Sequence, residues 1–297
     1  MLTILKKLYE KKYKYLLIIP FTLLLTGIII LAYWNVTTGE FVSKDITLKG
    51  GLMVTVETDS KIDVRQAEEI VESELGVTAI VKELSSFGAG SNLGYIFEVE
   101  KVSNSDTVIT AISKAVGHEL EEGTYTIEET SATLSETFWR STIKALALAF
   151  IFMACVVFFY FRKIVPSLAI ILSALSDFTI TLAAINIFDI KLSMAGVAAL
   201  LMLIGYSVDS NILLSVRVLK HHEGTVFDRI SNAVVTGITM SGTTLTALIV
   251  IYLLTPSIIL KQITLILVIG LFVDFINTWI QNAGILRIWL EKKHGQD

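Results

Sequence analysis

Hydrophobic positions along the chain fall into six long runs, at residues 16–34, 143–161, 164–188, 192–216, 232–254 and 262–290. A helix crosses a bilayer in about 20 residues at about 1.5 Å each, so every run predicts a transmembrane helix. The last run is longer than a bilayer needs and predicts tilt or extension past the membrane. Residues 35–140 behave differently, because their period switches back and forth. Residues 46–58 read as a strand. Val64, Ala67, Ile70, Val71 and Leu75 then share one face of a helix over 63–75. Strands over 77–84 and 95–100, a helix over 105–120 and a strand over 125–130 complete the segment. Strand–helix–strand–strand–helix–strand is the split βαβ, ferredoxin-like order. Gly88, Gly90 and Gly94 loosen its central hairpin.

The pattern therefore predicts a polytopic α-helical protein of six spans, with one α+β ferredoxin-like (βαββαβ) domain inserted after the first. The expected divisions are 1–34 for the N-terminus and first span, 35–140 for the inserted domain, 141–290 for spans two to six, and 291–297 for the tail. Composition agrees: 53% of the 297 residues are hydrophobic and only 18% charged, which excludes an ordinary soluble domain. A lone cysteine, Cys155, excludes an intrachain disulfide framework.

Charge adds an orientation. Lys6, Lys7, Lys11, Lys12 and Lys14 precede span one. Arg162 and Lys163 separate spans two and three, Arg217, Lys220 and Arg229 lie between spans four and five, and Lys292 and Lys293 follow span six. The opposite loops hold only Asp189 with Lys191, and Lys261. The positive-inside rule then puts both termini in the cytoplasm and the acidic domain at 35–140 outside the cell membrane.

Candidate chemistry lies within the spans. Asp209 interrupts the apolar run of span four, where a central Asp costs about 2.5–3.5 kcal/mol on insertion scales and marks a functional site by default. Ala195, Ala198, Met202, Gly205 and Asp209 share one small-residue face, with Ser207 and Asn211 beside it. Asp177 has Ser173 and Thr181 one turn to either side. Asp274 is followed by Asn277, Thr278, Gln281 and Asn282, and span five carries Thr236, Thr239, Thr243 and Thr246 with Gly237 and Gly242. With no mid-membrane Lys or Arg to neutralise them, the three carboxylates are expected to face the bundle interior or a wet cavity. That is the chemistry of a proton relay, with Asp209 as its chief member. An intramembrane aspartyl protease is disfavoured, because Asp209 lacks a Gly-x-Gly-Asp arrangement. His118, His221, His222 and His294 all lie outside the spans, and no Ser–His pair, metal cluster or phosphate loop occurs. No enzyme activity, cofactor or nucleic-acid partner is expected.

Several stretches resemble the SecF family, subunits of the SecDF protein-export accessory complex in the resistance-nodulation-division superfamily. The residues are Ile204-Gly205-Tyr206-Ser207-Val208-Asp209-Ser210-Asn211, Leu175-Ser176-Asp177, Ser241-Gly242-Thr243-Thr244-Leu245, and Asp45 with Gly50-Gly51, the last at a looser spacing than the family's Asp-x-x-Gly-Gly. The segment from Asn277 to Ala283 resembles archaeal forms most. The resemblance implies a six-span subunit that pairs with SecD, works beside the SecY translocon on exported polypeptides within membrane lipids, and uses proton flow. Family members carry an Arg five residues before the Ser-Gly-Thr-Thr-Leu stretch, where Thr236 stands here. The competing reading is a half-size transporter of small molecules or lipids driven by protons.

Overall fold

The computed structural model describes residues 13–58, 60–85, 92–100, 104–121, 123–220 and 225–294. Lys6, Lys7, Lys11, Lys12, Gly88, Gly90 and the His221–His222 pair lie outside the described residues. Elements follow in the order α1 (Ile18–Thr38), α2 (Ile46–Lys49), β1 (Gly51–Val56), α3 (Val64–Leu75), β2 (Ala79–Ser85), β3 (Asn92–Glu100), α4 (Ser105–Val116), β4 (Tyr125–Thr130), α5 (Ala132–Phe161), α6 (Ile164–Ile187), α7 (Met194–Lys220), α8 (Val226–Leu254), α9 (Ile258–Ile276), a π-helical turn (Asn277–Asn282) and α10 (Ala283–His294). Among the described residues six helical segments are long and apolar enough to cross a membrane: Tyr13–Thr38, Ala132–Phe161, Ile164–Ile187, Met194–Lys220, Val226–Leu254 and Ile258–Lys293. The last joins α9, the π turn and α10 into one rod.

The strands form one antiparallel sheet in the order β2-β3-β1-β4, compatible with the split βαβ arrangement. Its register pairs Val54 with Phe97 on one side and with Ile127 on the other. Because side chains alternate across a strand, this register sends Leu52, Val54 and Val56 to the same face as Phe97 and Val99. There they meet Ala67 and Val71 of α3 and Val108 and Ile112 of α4. Both helices have sharp ends. Asp63 and Asn104 accept backbone N–H groups of the first turns, and Gly76 and Gly117 adopt left-handed conformations at the last.

One element departs from the pattern-based expectation. The strand expected over 46–58 starts only at Gly51, because Ile46–Lys49 forms a helical turn. Asp45 forces it: its carboxylate accepts the Thr47 N–H at 2.9 Å and the Thr47 hydroxyl at 2.5 Å. This turn ties the sheet domain to the spans. The Asp45 N–H donates to Leu192 O, the Leu192 N–H donates to Ser43 O, and the Thr47 hydroxyl oxygen accepts the Met194 N–H at 3.1 Å. Ser135 of α5 donates to Thr47 O at 3.1 Å, and Asn186 of α6 donates to Phe41 O at 2.9 Å. Burial holds the Asp45 carboxyl up at about 6 despite these donors.

Candidate functional site: a buried polar layer between three spans

In α6, α7 and α9 the inward faces carry a cluster of polar side chains among buried apolar ones. Ser207, Ser210, Asn211 and Leu214 recur at three- and four-residue steps on α7 and are buried. The same spacing buries Ser173, Ser176, Asp177 and Thr181 on α6. On the sixth rod the chain changes winding below Asp274, and five of the six residues of the π turn are buried: Asn277, Thr278, Trp279, Gln281 and Asn282. Such single π turns sit inside α-helices often at functional sites. Here the wide turn aims Asn277 and Gln281 at α6 and Asn282 at α7, while Thr278 turns back to Asp274.

Asp177 and Asp274 meet in this layer, each about 1% exposed. Asp177 accepts the Ser207 hydroxyl at 2.5 Å and the Asn277 side-chain amide at 2.7 Å. Asp274 accepts the hydroxyls of Ser210 and Thr278, both at 2.8 Å. The two carboxyls are neighbours in this layer, joined through the adjacent α7 hydroxyls of Ser207 and Ser210. Around them Asn282 donates to Asn211 Oδ1 at 2.7 Å, Asn211 donates to Ser207 O at 2.7 Å, and Gln281 donates to Ser176 Oγ at 3.2 Å. Asn277 Oδ1, Gln281 Oε1 and Asn282 Oδ1 are buried with no hydrogen-bond partner among the described residues. None of the ion pairs among the described residues involves either carboxylate. The layer therefore combines two neighbouring carboxyls, a set of hydroxyl donors and unsatisfied amide oxygens.

Asp209 is not part of it. Of the expected bundle interior or wet cavity, the interior of this chain holds Asp177 and Asp274 only, because the phase that buries Ser207, Ser210 and Asn211 turns Asp209 outward. Ala198, Met202 and Gly205 lie on the same outward face, and nothing comes within 4 Å of the position a Gly205 Cβ would occupy. Thr243 of α8 is exposed too, and Thr236 is half-buried. Of the supporting residues, Ser207 and Asn211 join the interior layer, whereas Gly205, Thr236 and Thr243 do not. Thr236 accepts a long, 3.5 Å contact from the Arg217 guanidinium of α7. A second cationic group escaped sequence reasoning altogether. Arg287 of α10 pairs with Glu291 at 2.8 Å and stacks 4.0 Å from the Tyr13 ring, while the Tyr13 hydroxyl donates to Glu291. These contacts fasten the first span to the last. Ser210 was also missed, although its three-residue step from Ser207 is the signal that finds it.

The geometry has counterparts in known proteins. The family described as "Protein export membrane protein SecD/SecF, C-terminal" matches residues 108–292. A protein-export membrane protein SecF of Pyrococcus furiosus is 38% identical over 293 residues, 99% of this chain and 96% of the relative. The chain belongs to the SecF family of protein-export membrane proteins. A SecF of Methanocaldococcus jannaschii is likewise 38% identical, over 94% of this chain and 96% of its own length. The crystal structure of SecDF, a translocon-associated membrane protein from Thermus thermophilus, superposes with a TM-score of 0.75 over 94% of this chain at 16% identity. That overlap spans 38% of the length of the SecDF chain. With its six apolar rods, this SecF-family chain is a multi-pass membrane protein.

Proposed function

We propose that the chain is a non-enzymatic, SecF-type subunit that pairs with a SecD subunit and assists the passage of exported polypeptides beside the SecY translocon. Its carboxylates exchange protons during that work. The observation that carries the reading is the Asp177–Asp274 pair, two neighbouring carboxyls buried between three spans and in no ion pair among the described residues. Two such carboxyls take up or lose protons as their surroundings open, and Ser207, Ser210 and Thr278 are positioned to follow the charge by rotating their hydroxyls. The outward face of α7 complements the pair. Asp209 in contact with lipid is costly, and a SecD span laid along Ala198, Met202 and Gly205 would remove that contact. Arg217, held at Thr236, brings a guanidinium to the position where family members carry an arginine. In this reading both termini are cytoplasmic, residues 35–140 lie outside, and Asp177, Asp209 and Asp274 form the relay, with Gly205, Ser207, Asn211, Thr236 and Thr243 in support.

The test is complementation in a host depleted of its own SecF. Asp177→Asn and Asp274→Asn keep shape but cannot exchange a proton. Each is expected to co-purify with SecD yet lower gradient-dependent export of a reporter about tenfold or more. Normal export by either variant contradicts the proton reading, and loss of SecD from the wild-type chain contradicts the subunit reading.

A further inference from the structure

A cavity of about 740 Å³ lies between the sheet domain and the ends of three spans. Trp34 and Thr38 at the end of α1, Tyr252 at the end of α8, and Ile258 and Leu265 at the start of α9 supply one wall. Trp and Tyr at the ends of spans mark the depth of lipid headgroups. The opposite wall comes from the sheet domain and is polar, with Lys49, Lys82 and Glu100. The span ends supply both the apolar surface and two further lysines, Lys191 and Lys261.

The charges are not balanced evenly. Lys44 pairs with Glu40 at 3.1 Å, Lys49 with Glu100 at 2.8 Å, and Lys82 with Glu98. Lys191 pairs with Asp189 at 2.7 Å, but the Asp189 side chain is 70% exposed, so water screens that pair heavily. Lys261 has no ion pair among the described residues. Gln262 clamps the two under-neutralised lysines to one frame. Its amide nitrogen donates to Lys191 O, and its amide oxygen accepts the Ser193 hydroxyl. Lys261 precedes it in the first turns of α9. Two ammonium groups on one clamp, above an apolar wall, ask for a compact anion attached to hydrocarbon.

Strand addition does not fit the same space. The β2 edge borders the cavity, yet its outward N–H groups are taken: Ala79 N–H donates to Glu72 at 3.1 Å and Val81 N–H to Glu68 at 3.0 Å. A polypeptide would have to displace both carboxylates before it could pair there. The ligand is therefore held by side chains rather than by the sheet edge.

We propose that this cavity binds the phosphate headgroup of an anionic membrane lipid, with Lys261 and Lys191 as its cations and Tyr252, Ile258 and Leu265 against its hydrocarbon. Free phosphate shares the anion chemistry but makes no use of the apolar wall. The lipid would pin the sheet domain to the span ends, and the site does not depend on the proton reading.

The experiment uses the full chain purified in neutral detergent, with bound lipid counted by native mass spectrometry and melting followed in parallel. The probes are dioleoylphosphatidylglycerol, dioleoylphosphatidylcholine and inorganic phosphate. The anionic lipid is expected to be retained about tenfold better than the zwitterionic one and to raise the melting temperature, while inorganic phosphate does neither. Lys261→Gln should weaken retention about tenfold and Lys191→Gln by less, whereas Lys144→Gln, at an exposed lysine of α5, should leave it unchanged. Equal retention of the two lipids, or full retention by Lys261→Gln, overturns the proposal. Displacement of the lipid by inorganic phosphate at matched concentration overturns the lipid assignment in favour of a soluble anion, and displacement by an unfolded peptide overturns it in favour of polypeptide. If Lys261→Gln does not fold, competition among the three probes on the wild-type chain still decides.

Discussion

Two polar regions lie within the membrane-spanning part of this SecF-family chain, and they are solved in opposite ways. The layer around Asp177 and Asp274 is closed by the chain itself, since hydroxyls and an amide from α7 and the π turn reach every carboxylate oxygen. The face around Asp209 has no such partners and looks outward beside Gly205 and Met202. One set is satisfied within the chain, and under the proposed function the other is completed by a SecD subunit. Substitutions in the first should therefore act on the fold, and substitutions in the second on assembly.

A glycine packed against the π turn gives the largest expected effect. A Cβ at Gly237 would stand 1.9 Å from Trp279 Cζ2, a ring buried in the π turn. Gly237→Leu should destabilise the chain by about 4 kcal/mol or more, as gross overpacking does, and leave little monodisperse protein on size-exclusion chromatography in detergent. Asp177→Leu comes next. It orphans the donors of Ser207 and Asn277, each worth about 1–3 kcal/mol when buried unpaired, so the total loss is about 3 kcal/mol in thermal melts. Asp209→Leu, by contrast, should move the melting of the isolated chain by no more than about 0.5 kcal/mol. Equal losses for the two would erase the distinction between the regions.

The junction supplies a pH effect outside both regions. Burial raises Asp45 from 3.8 to about 6, so the folded chain binds its proton more tightly than the unfolded one. Its contribution is complete below about pH 4 and is lost as pH rises through about 6, on the order of 2 kcal/mol after allowance for residual solvent. Asp45→Asn should flatten the stability profile over that window in detergent melts. A small effect of opposite sign belongs to Gly205→Ala. With open space around the new Cβ, the substitution should stabilise α7 by about 0.5–1 kcal/mol in the isolated chain.

The inserted domain was the most readable part of the sequence, because alternating and helical periods mark which residues must face its core. Ile46–Lys49 escaped since a run such as Ile46, Thr47 and Leu48 fits either period, and the deciding contact, Asp45 to the Thr47 N–H, is local capping rather than pattern. The six spans were equally readable from their length. Their rotation was not, because a helix apolar nearly all round gives no phase. The sequence pattern accordingly groups Asp209 with Asp177 and Asp274. The correct phase is carried by small hydroxyl residues, Ser207 and Ser210, whose polarity is too weak to stand out in a hydrophobic run. The π turn is likewise invisible in spacing, although the density of amides from Asn277 to Asn282 marks its place.

The account rests most on the claim that the outward face of α7 is completed by SecD, and Gly205→Trp probes it directly. An indole at that open position should leave the stability of the isolated chain within about 1 kcal/mol of wild type, because nothing lies within 4 Å of its Cβ and Gly205 is exposed. Co-expressed with tagged SecD, the variant should fail to co-purify while the wild-type chain is recovered. Recovery of Gly205→Trp with SecD at the wild-type level would contradict the account and return Asp209 to the lipid.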